Sequence, residues 1–189
     1  MDAIDLLLKR VSVPRLQEPA PTAEQLDFML RAAGRAPAHG QLRPWRFLTI
    51  TADDRYKLGE LFVQGLLSYD PEADEKLIEK TRNLPLRAPM LLVVIATFVE
   101  HEKVPAHEQL LTAGCVAHGI LLAAHAQGVG AVWRTGSLAE NTVIKKGLGL
   151  TDNEQIVAYM YLGTPINSLR NPPTLDPAPF LRCWPETNS

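Results

Sequence analysis

A chain of 189 residues, 46% hydrophobic and 21% charged, is long enough to bury a substantial core as one domain of ordinary size. Its net charge of -2 removes the electrostatic case for a nucleic-acid partner, and no basic run interleaved with aromatics restores it. Its two cysteines, Cys115 and Cys183, form no C-x-x-C pair, so neither a disulfide framework nor a zinc site is expected.

Residues 1–9 place Ile4, Leu7 and Leu8 at helical spacing, with Asp2 and Asp5 early and Lys9 and Arg10 late, the charge order that suits a helix dipole. The same stretch lacks the basic-then-apolar order of a targeting signal. Pro14, Pro19 and Pro21 then impose an irregular segment. Thr22 with Gln25 is a capping-box pattern, and the helix it opens runs to about Ala33 with Leu26, Met29, Leu30 and Ala33 on one face; Gly34 ends it. Residues 45–50 read as a strand. Asp53 or Asp54 caps a helix carrying Leu58, Leu61, Phe62 and Leu66. Residues 71–82 read as a polar surface helix, mobile enough to be a candidate lid.

Residues 90–96 are an almost unbroken apolar run, the signature of a strand buried on both faces. Residues 108–127 form the most hydrophobic helix, with small residues nearly all around, so a central helix packed on several sides is expected, with Gly114 and Gly119 as close-packing points. The apolar stretches 90–96 and 117–126 are too short or interrupted to predict a membrane span. A short strand at 131–133, a short helix at 141–148 and a strand at 155–162 follow. From Pro165 onward the chain is a proline-rich extended tail, of a kind that lies on a neighbour's surface. The elements predict one layered domain over residues 1–189, with one buried and one tail cysteine, in a cytoplasmic protein.

Three segments carry candidate chemistry. Arg10 and Ser12, with Lys9 and Arg15 nearby, gather cationic donors around a hydroxyl, which suits a phosphate; a helix-capping arginine and a turn serine explain the pair as well if it is read alone. Arg35 to Gly40 is a loop in which Pro37 fixes one backbone angle and Gly40 permits unusual ones, so that amides can lie along a flat ring. His39 within it is open to acid, ligand or plain hydrogen-bond roles, and no second ligand nearby argues for a metal. Trp133, Arg134 and Thr135 follow a buried strand, a position that lines ligand crevices in layered folds, although Trp133 also reads as core and Arg134 as a surface ion pair. His118 and His125 are seven apart on the central helix and read as packed neutral imidazoles. Gly128-Val129-Gly130 is too short for a dinucleotide fingerprint, and no P-loop or catalytic nucleophile is evident.

In this order and spacing the segments resemble the nitroreductase family of flavin-dependent oxidoreductases, and within it the short YdjA-like subgroup. The residues that carry the resemblance are Arg10-Val11-Ser12, Arg31 to His39, Pro44-Trp45, Ala113-Gly114-Cys115, Gln127 to Gly130, Trp133 to Gly136, and Tyr161 to Pro165. The resemblance implies an α+β fold with a central, mostly antiparallel sheet flanked by helices, built as an intertwined homodimer with FMN at the subunit interface. It implies FMN contacts from Arg10, Val11, Ser12, Arg35, His39, Trp133, Arg134 and Thr135, with part of the 35–40 loop supplied across the dimer. It places residues 123–128 near the nicotinamide of NAD(P)H, the reductant, and implies small nitroaromatic or quinone acceptors reached by a ping-pong route. A flavin-fragmenting or dehalogenating relative, or a non-catalytic flavin-binding dimer, would use the same residues. One departure is clear: Val11 stands where the family commonly has a second arginine, with Arg15 the nearest substitute charge.

Overall fold

A computed structural model describes residues 2–184. At its centre runs β3 (Met90–Thr97), antiparallel to β2 (Trp45–Thr51) on one side and to β5 (Glu154–Pro165) on the other. The register pairs Val93 with Leu48 and with Tyr159, and one irregularity falls between Val94 and Ile95. The far edge of β5 carries β4 (Gly130–Arg134), and its last residues pair with β1 (Leu16–Gln17). Every pairing is antiparallel.

The apolar run in β3 has the predicted cause. Leu92, Val94 and Ala96 face one layer, and Leu91, Val93 and Ile95 face the other, all fully buried. Each such Leu, Val or Ile contributes about 1.5–3 kcal/mol by burial, so a strand covered on both faces has no use for polar alternation. The first layer is α2 (Ala23–Ala33) and α5 (Ala106–Ala126), which bring Met29, Ala33, Ala113, Val116, Ala117 and Ile120 onto the sheet. The second is α3 (Asp54–Leu67), α6 (Ser137–Glu140) and α7 (Thr142–Gly147), with Leu58, Phe62, Ala139 and Ile144. Phe62 meets Tyr159 edge-on, ring centroids 5.3 Å apart.

The capping box at α2 forms as predicted: the Thr22 hydroxyl accepts from Gln25 N–H at 3.1 Å, and the Gln25 amide oxygen accepts from Thr22 N–H at 3.0 Å. α1 (Ala3–Lys9) is capped by the Asp2 carboxylate. It buries none of its side chains, and Ile4, Leu7 and Leu8 stand exposed.

Several expectations are corrected. Asp53 precedes α3 but already has helical backbone angles and makes no capping bond, while Asp54 pairs with Lys57. The polar helix begins at Glu75, not Pro71, because Asp74 caps it through Leu77 N–H; this is α4 (Glu75–Arg82). Its end is held by Arg82, which bridges Glu60 and Glu79, and a Cβ at Gly59 of α3 would run into the Arg82 carbonyl. That anchorage argues against a lid. Cys115 is exposed rather than buried, as is His118, so only His125 is a packed imidazole. Gly114 has open space beside it, whereas a Cβ at Gly119 would sit 3.0 Å from Ala33 Cα. The helix is therefore packed closely on one side only. By length and composition α5 is apolar enough to cross a membrane, contrary to the sequence reading. Its inner side carries Gln109, Thr112 and His125 into the fold, which is the placement of a core helix. From Ile166 to Trp184 the tail is extended apart from one short turn at Ala178–Phe180, with Leu175, Phe180, Leu181 and Trp184 exposed.

Candidate active site

Arg10 leaves α1 in an extended conformation, and the Val13 amide then donates to Ala131 O at 2.9 Å, which ties the segment to β4. Lys9 folds back on Asp5 at 2.7 Å and leaves the cationic cluster. Arg10, Val11, Ser12 and Arg15 form one wall of a cleft of about 660 Å³. The opposite wall comes from the tail: Asn167, Ser168 and Arg170. Three arginines and two hydroxyls thus converge, a donor set with the chemistry of a phosphate site. Arg10 Nη1 is buried and has no hydrogen-bond partner among the described residues. A buried, unsatisfied cationic donor is costly, which marks a position completed by a ligand or a second chain.

Close behind Arg10, His125 is also buried with its Nε2 unpartnered. Burial, and then the Arg10 charge, push its pKa below the ordinary value, so the ring is held neutral. Ala123, Ala124 and His125 fill the core, Gln127 donates to Gln25 O and Ala123 O, and Ala126 and Gly128 are exposed; none of residues 123–128 lines either cleft.

The second cleft, of about 710 Å³, is predominantly apolar. Arg35, Ala36 and Pro37 meet Trp133 there, with Leu111, Gly114, Cys115 and His118 along the open face of α5. Both clefts have the size of small-ligand sites. Trp133 Nε1 donates to Val157 O at 3.1 Å, which fixes the indole. Strand alternation then sends Arg134 to the other face, where its guanidinium lies 5.7 Å from the Tyr161 ring centroid with Nε buried and unpartnered. Burial pushes the Tyr161 phenol up to about 12, with Arg134 and Arg87 pulling against it. Thr135 is exposed beyond the strand end, and Gly136 follows at φ 99, a left-handed turn that starts α6.

In the 35–40 loop, Gly40 has φ 63, as its predicted freedom requires. His39 lines neither cleft; its Nδ1 meets Glu108 Oε2 at 2.8 Å. The eight sequence-selected residues therefore fall into separate places on one chain: Arg10, Val11 and Ser12 in the polar cleft, Arg35 and Trp133 in the apolar one, His39, Arg134 and Thr135 outside both. Sequence reasoning missed Asn167, Ser168 and Arg170, which only the return of β5 brings opposite Arg10, and Glu108 and Thr112, which hold the loop.

Comparison with known proteins shows where this arrangement belongs. A match to the Nitroreductase family covers residues 7–164. The chain belongs to the nitroreductase family. It is 42% identical over 182 residues to YdjA of Escherichia coli (strain K12), named as a candidate NAD(P)H nitroreductase; the match covers 96% of this chain and 98% of YdjA. Among solved structures, a nitroreductase-like protein from Bacillus cereus superposes with a TM-score of 0.83 at 20% identity, covering 98% of this chain and 97% of that one. A candidate nitroreductase from Desulfovibrio desulfuricans, solved in complex with FMN, has a TM-score of 0.74 at 21% identity, with 97% of each chain covered. These likenesses establish the nitroreductase fold for the α+β architecture described above.

Proposed function

We propose that this chain is an FMN-dependent oxidoreductase that draws electrons from NAD(P)H and delivers them to nitroaromatic or quinone-type acceptors. The observation that carries the reading is the convergence of Arg10, Ser12, Arg15 and Arg170 on one cleft, with a buried Arg10 donor left unsatisfied, in a chain of this family. That donor set fits a phosphate, and the apolar cleft between Trp133 and Pro37 fits a flat ring. The name of YdjA and the FMN complex of the Desulfovibrio protein support the same cofactors.

Bound FMN supplies the two-electron chemistry. The chain's task is then to bind, orient and exclude. Arg10, Val11 and Ser12 hold the phosphate end, with Arg15 and Arg170 supplying the charge that Val11 does not. Arg35 and Trp133 would line the ring end, and His39, Arg134 and Thr135, which lie outside the clefts of one chain, would join it in the assembled site, with Arg35 or Arg134 supplying positive charge beside the ring. No side chain is required as a nucleophile.

The separation of these residues on one chain supports assembly of the site by an intertwined homodimer. Three unpartnered surfaces fit that assembly: the Ile4, Leu7 and Leu8 face of α1, the Leu111, Cys115 and His118 face of α5, and the apolar tail. β2 is also an open sheet edge, available to an extended segment of a second copy. Both cysteines are free, the state that the cytoplasm maintains. Initial-rate kinetics test the reading. One pocket that serves both substrates in turn gives parallel double-reciprocal lines for NAD(P)H against a nitroaromatic or quinone. Lines that converge, requiring both substrates bound together, would contradict it.

A further inference from the structure

Around His39 the backbone is unusual: Gly40, Gln41 and Arg43 all have positive φ, at 63, 53 and 49. Such a run persists only where its surroundings impose it. The first two turns of α5 do so. Thr112 Oγ1 donates to Pro37 O at 3.2 Å. The Gln109 amide, fully buried, accepts from Val99 N–H at 3.0 Å and donates to Val99 O at 2.8 Å and Val104 O at 3.0 Å. That holds the 99–104 loop against which Gly40 rests; a Cβ on Gly40 would lie 3.7 Å from Val104 Cγ2. Thr112 and Gln109 therefore account for the course of the backbone. Among the described residues the Glu108 side chain makes one hydrogen bond, Oε2 to His39 Nδ1 at 2.8 Å.

We propose that Glu108 is the positioning residue for His39, holding the proton on Nδ1 so that Nε2 is presented to the cofactor. This rests on the reading of His39 as a flavin contact. A carboxylate at this distance only accepts, so Nδ1 must donate, and Nε2 is the ring nitrogen left to face a ligand. His39 Nε2 makes no hydrogen bond among the described residues. A carboxylate on one nitrogen fixes the tautomer and the plane of the ring, the device by which carboxylates orient histidine ligands elsewhere. A purely structural role gives no reason for it: the pair is 57% and 41% exposed, where an ion pair contributes little to stability. The ligand that Nε2 takes is a hydrogen-bonding group of the cofactor.

The test compares E108A, E108Q, H39Q and T112V with the unsubstituted protein, using 15N-histidine NMR for the tautomer and fluorescence titration for FMN. In the unsubstituted protein His39 carries its proton on Nδ1. E108A moves it to Nε2, the form preferred by a free imidazole, and weakens FMN binding about tenfold, the scale of one charge-assisted hydrogen bond. E108Q, whose amide oxygen still accepts, retains the Nδ1 proton and most of the affinity. The double variant of E108A with H39Q binds no worse than H39Q alone. T112V keeps the tautomer. An unchanged tautomer in E108A, or unchanged FMN affinity in E108A while H39Q weakens it, overturns the proposal. So does an H39Q protein with full affinity, although loss of FMN by R10A would then leave the functional reading standing. Failure of every form to take up FMN would instead overturn the functional reading, and the tautomers would judge Glu108 alone.

Discussion

Gly114 and Gly119 lie on the same helix but face different surroundings, and replacing each by leucine separates the fold from the assembly. At Gly119 a Cβ would stand 3.0 Å from Ala33 Cα and 3.5 Å from Ala33 Cβ, against a residue that is fully buried on α2. The contact is with backbone, so the two helices must move apart. Overpacking of this kind costs about 1–3 kcal/mol, and the helix-propensity gain on losing a glycine returns about 1 kcal/mol, so Gly119→Leu should lower stability by about 0–2 kcal/mol. A Cβ at Gly114 would have no atom of the described residues within 4 Å beyond its own stretch of helix, and the same substitution gains the propensity term without a clash there. If the open face of α5 meets its copy in a dimer, Gly114→Leu puts the clash there instead. Light scattering after gel filtration, far-UV circular dichroism and bound-flavin content read the two apart. Gly119→Leu loses melting temperature; Gly114→Leu keeps its helix content but becomes monomeric and loses its yellow colour. A Gly114→Leu protein that remains dimeric and yellow would refute the placement of the interface on this face.

Arg10→Ala should raise the FMN dissociation constant by about tenfold to a hundredfold, from one lost charged hydrogen bond, and leave riboflavin binding, which has no phosphate, unchanged in a fluorescence titration. Glu154 is held at about 2, against an ordinary 4.5, first by the hydrogen bonds from Arg46, whose Nη2 lies 2.8 Å from Oε2. A depressed carboxylate stabilises the fold above 4.5 and loses that contribution as the pH falls toward 2, on the order of 3 kcal/mol here. Chemical denaturation across that window should show the loss in the parent and its absence in Glu154→Gln. His125 is pushed the other way for its charge: its folded pKa lies below 6.5, so protonation favours the unfolded chain and stability falls as the pH drops below 6.5. His125→Leu removes an unpartnered buried nitrogen and should gain about 1–3 kcal/mol in the flavin-free protein while flattening that pH dependence.

What could be read from the sequence was what short-range physics sets. The β3 run and the Thr22–Gln25 box need only neighbouring residues, and both form; Gly40 supplies the freedom for its turn, although α5 holds the loop in place. β1 was invisible because two residues between prolines have no pattern of their own; the overhanging end of β5 makes them a strand. Cys115 was expected inside because cysteine is usually buried, but the small-residue helix that carries it is covered on one side only. Trp133 and Arg134 were grouped by adjacency in a segment whose strand geometry separates them to opposite faces. Arg10, Ser12 and Arg35 were legible as chemistry, yet Arg170 and Glu108 were not, since each acquires its role from a partner more than sixty positions away.

The most direct test of the central claim is the visible spectrum of the purified, desalted protein before and after anaerobic NAD(P)H. A flavin spectrum that bleaches on addition of pyridine nucleotide and returns with a nitroaromatic or quinone is the predicted result. A flavin that persists under NAD(P)H, or a colourless protein that takes up no added FMN, would contradict it.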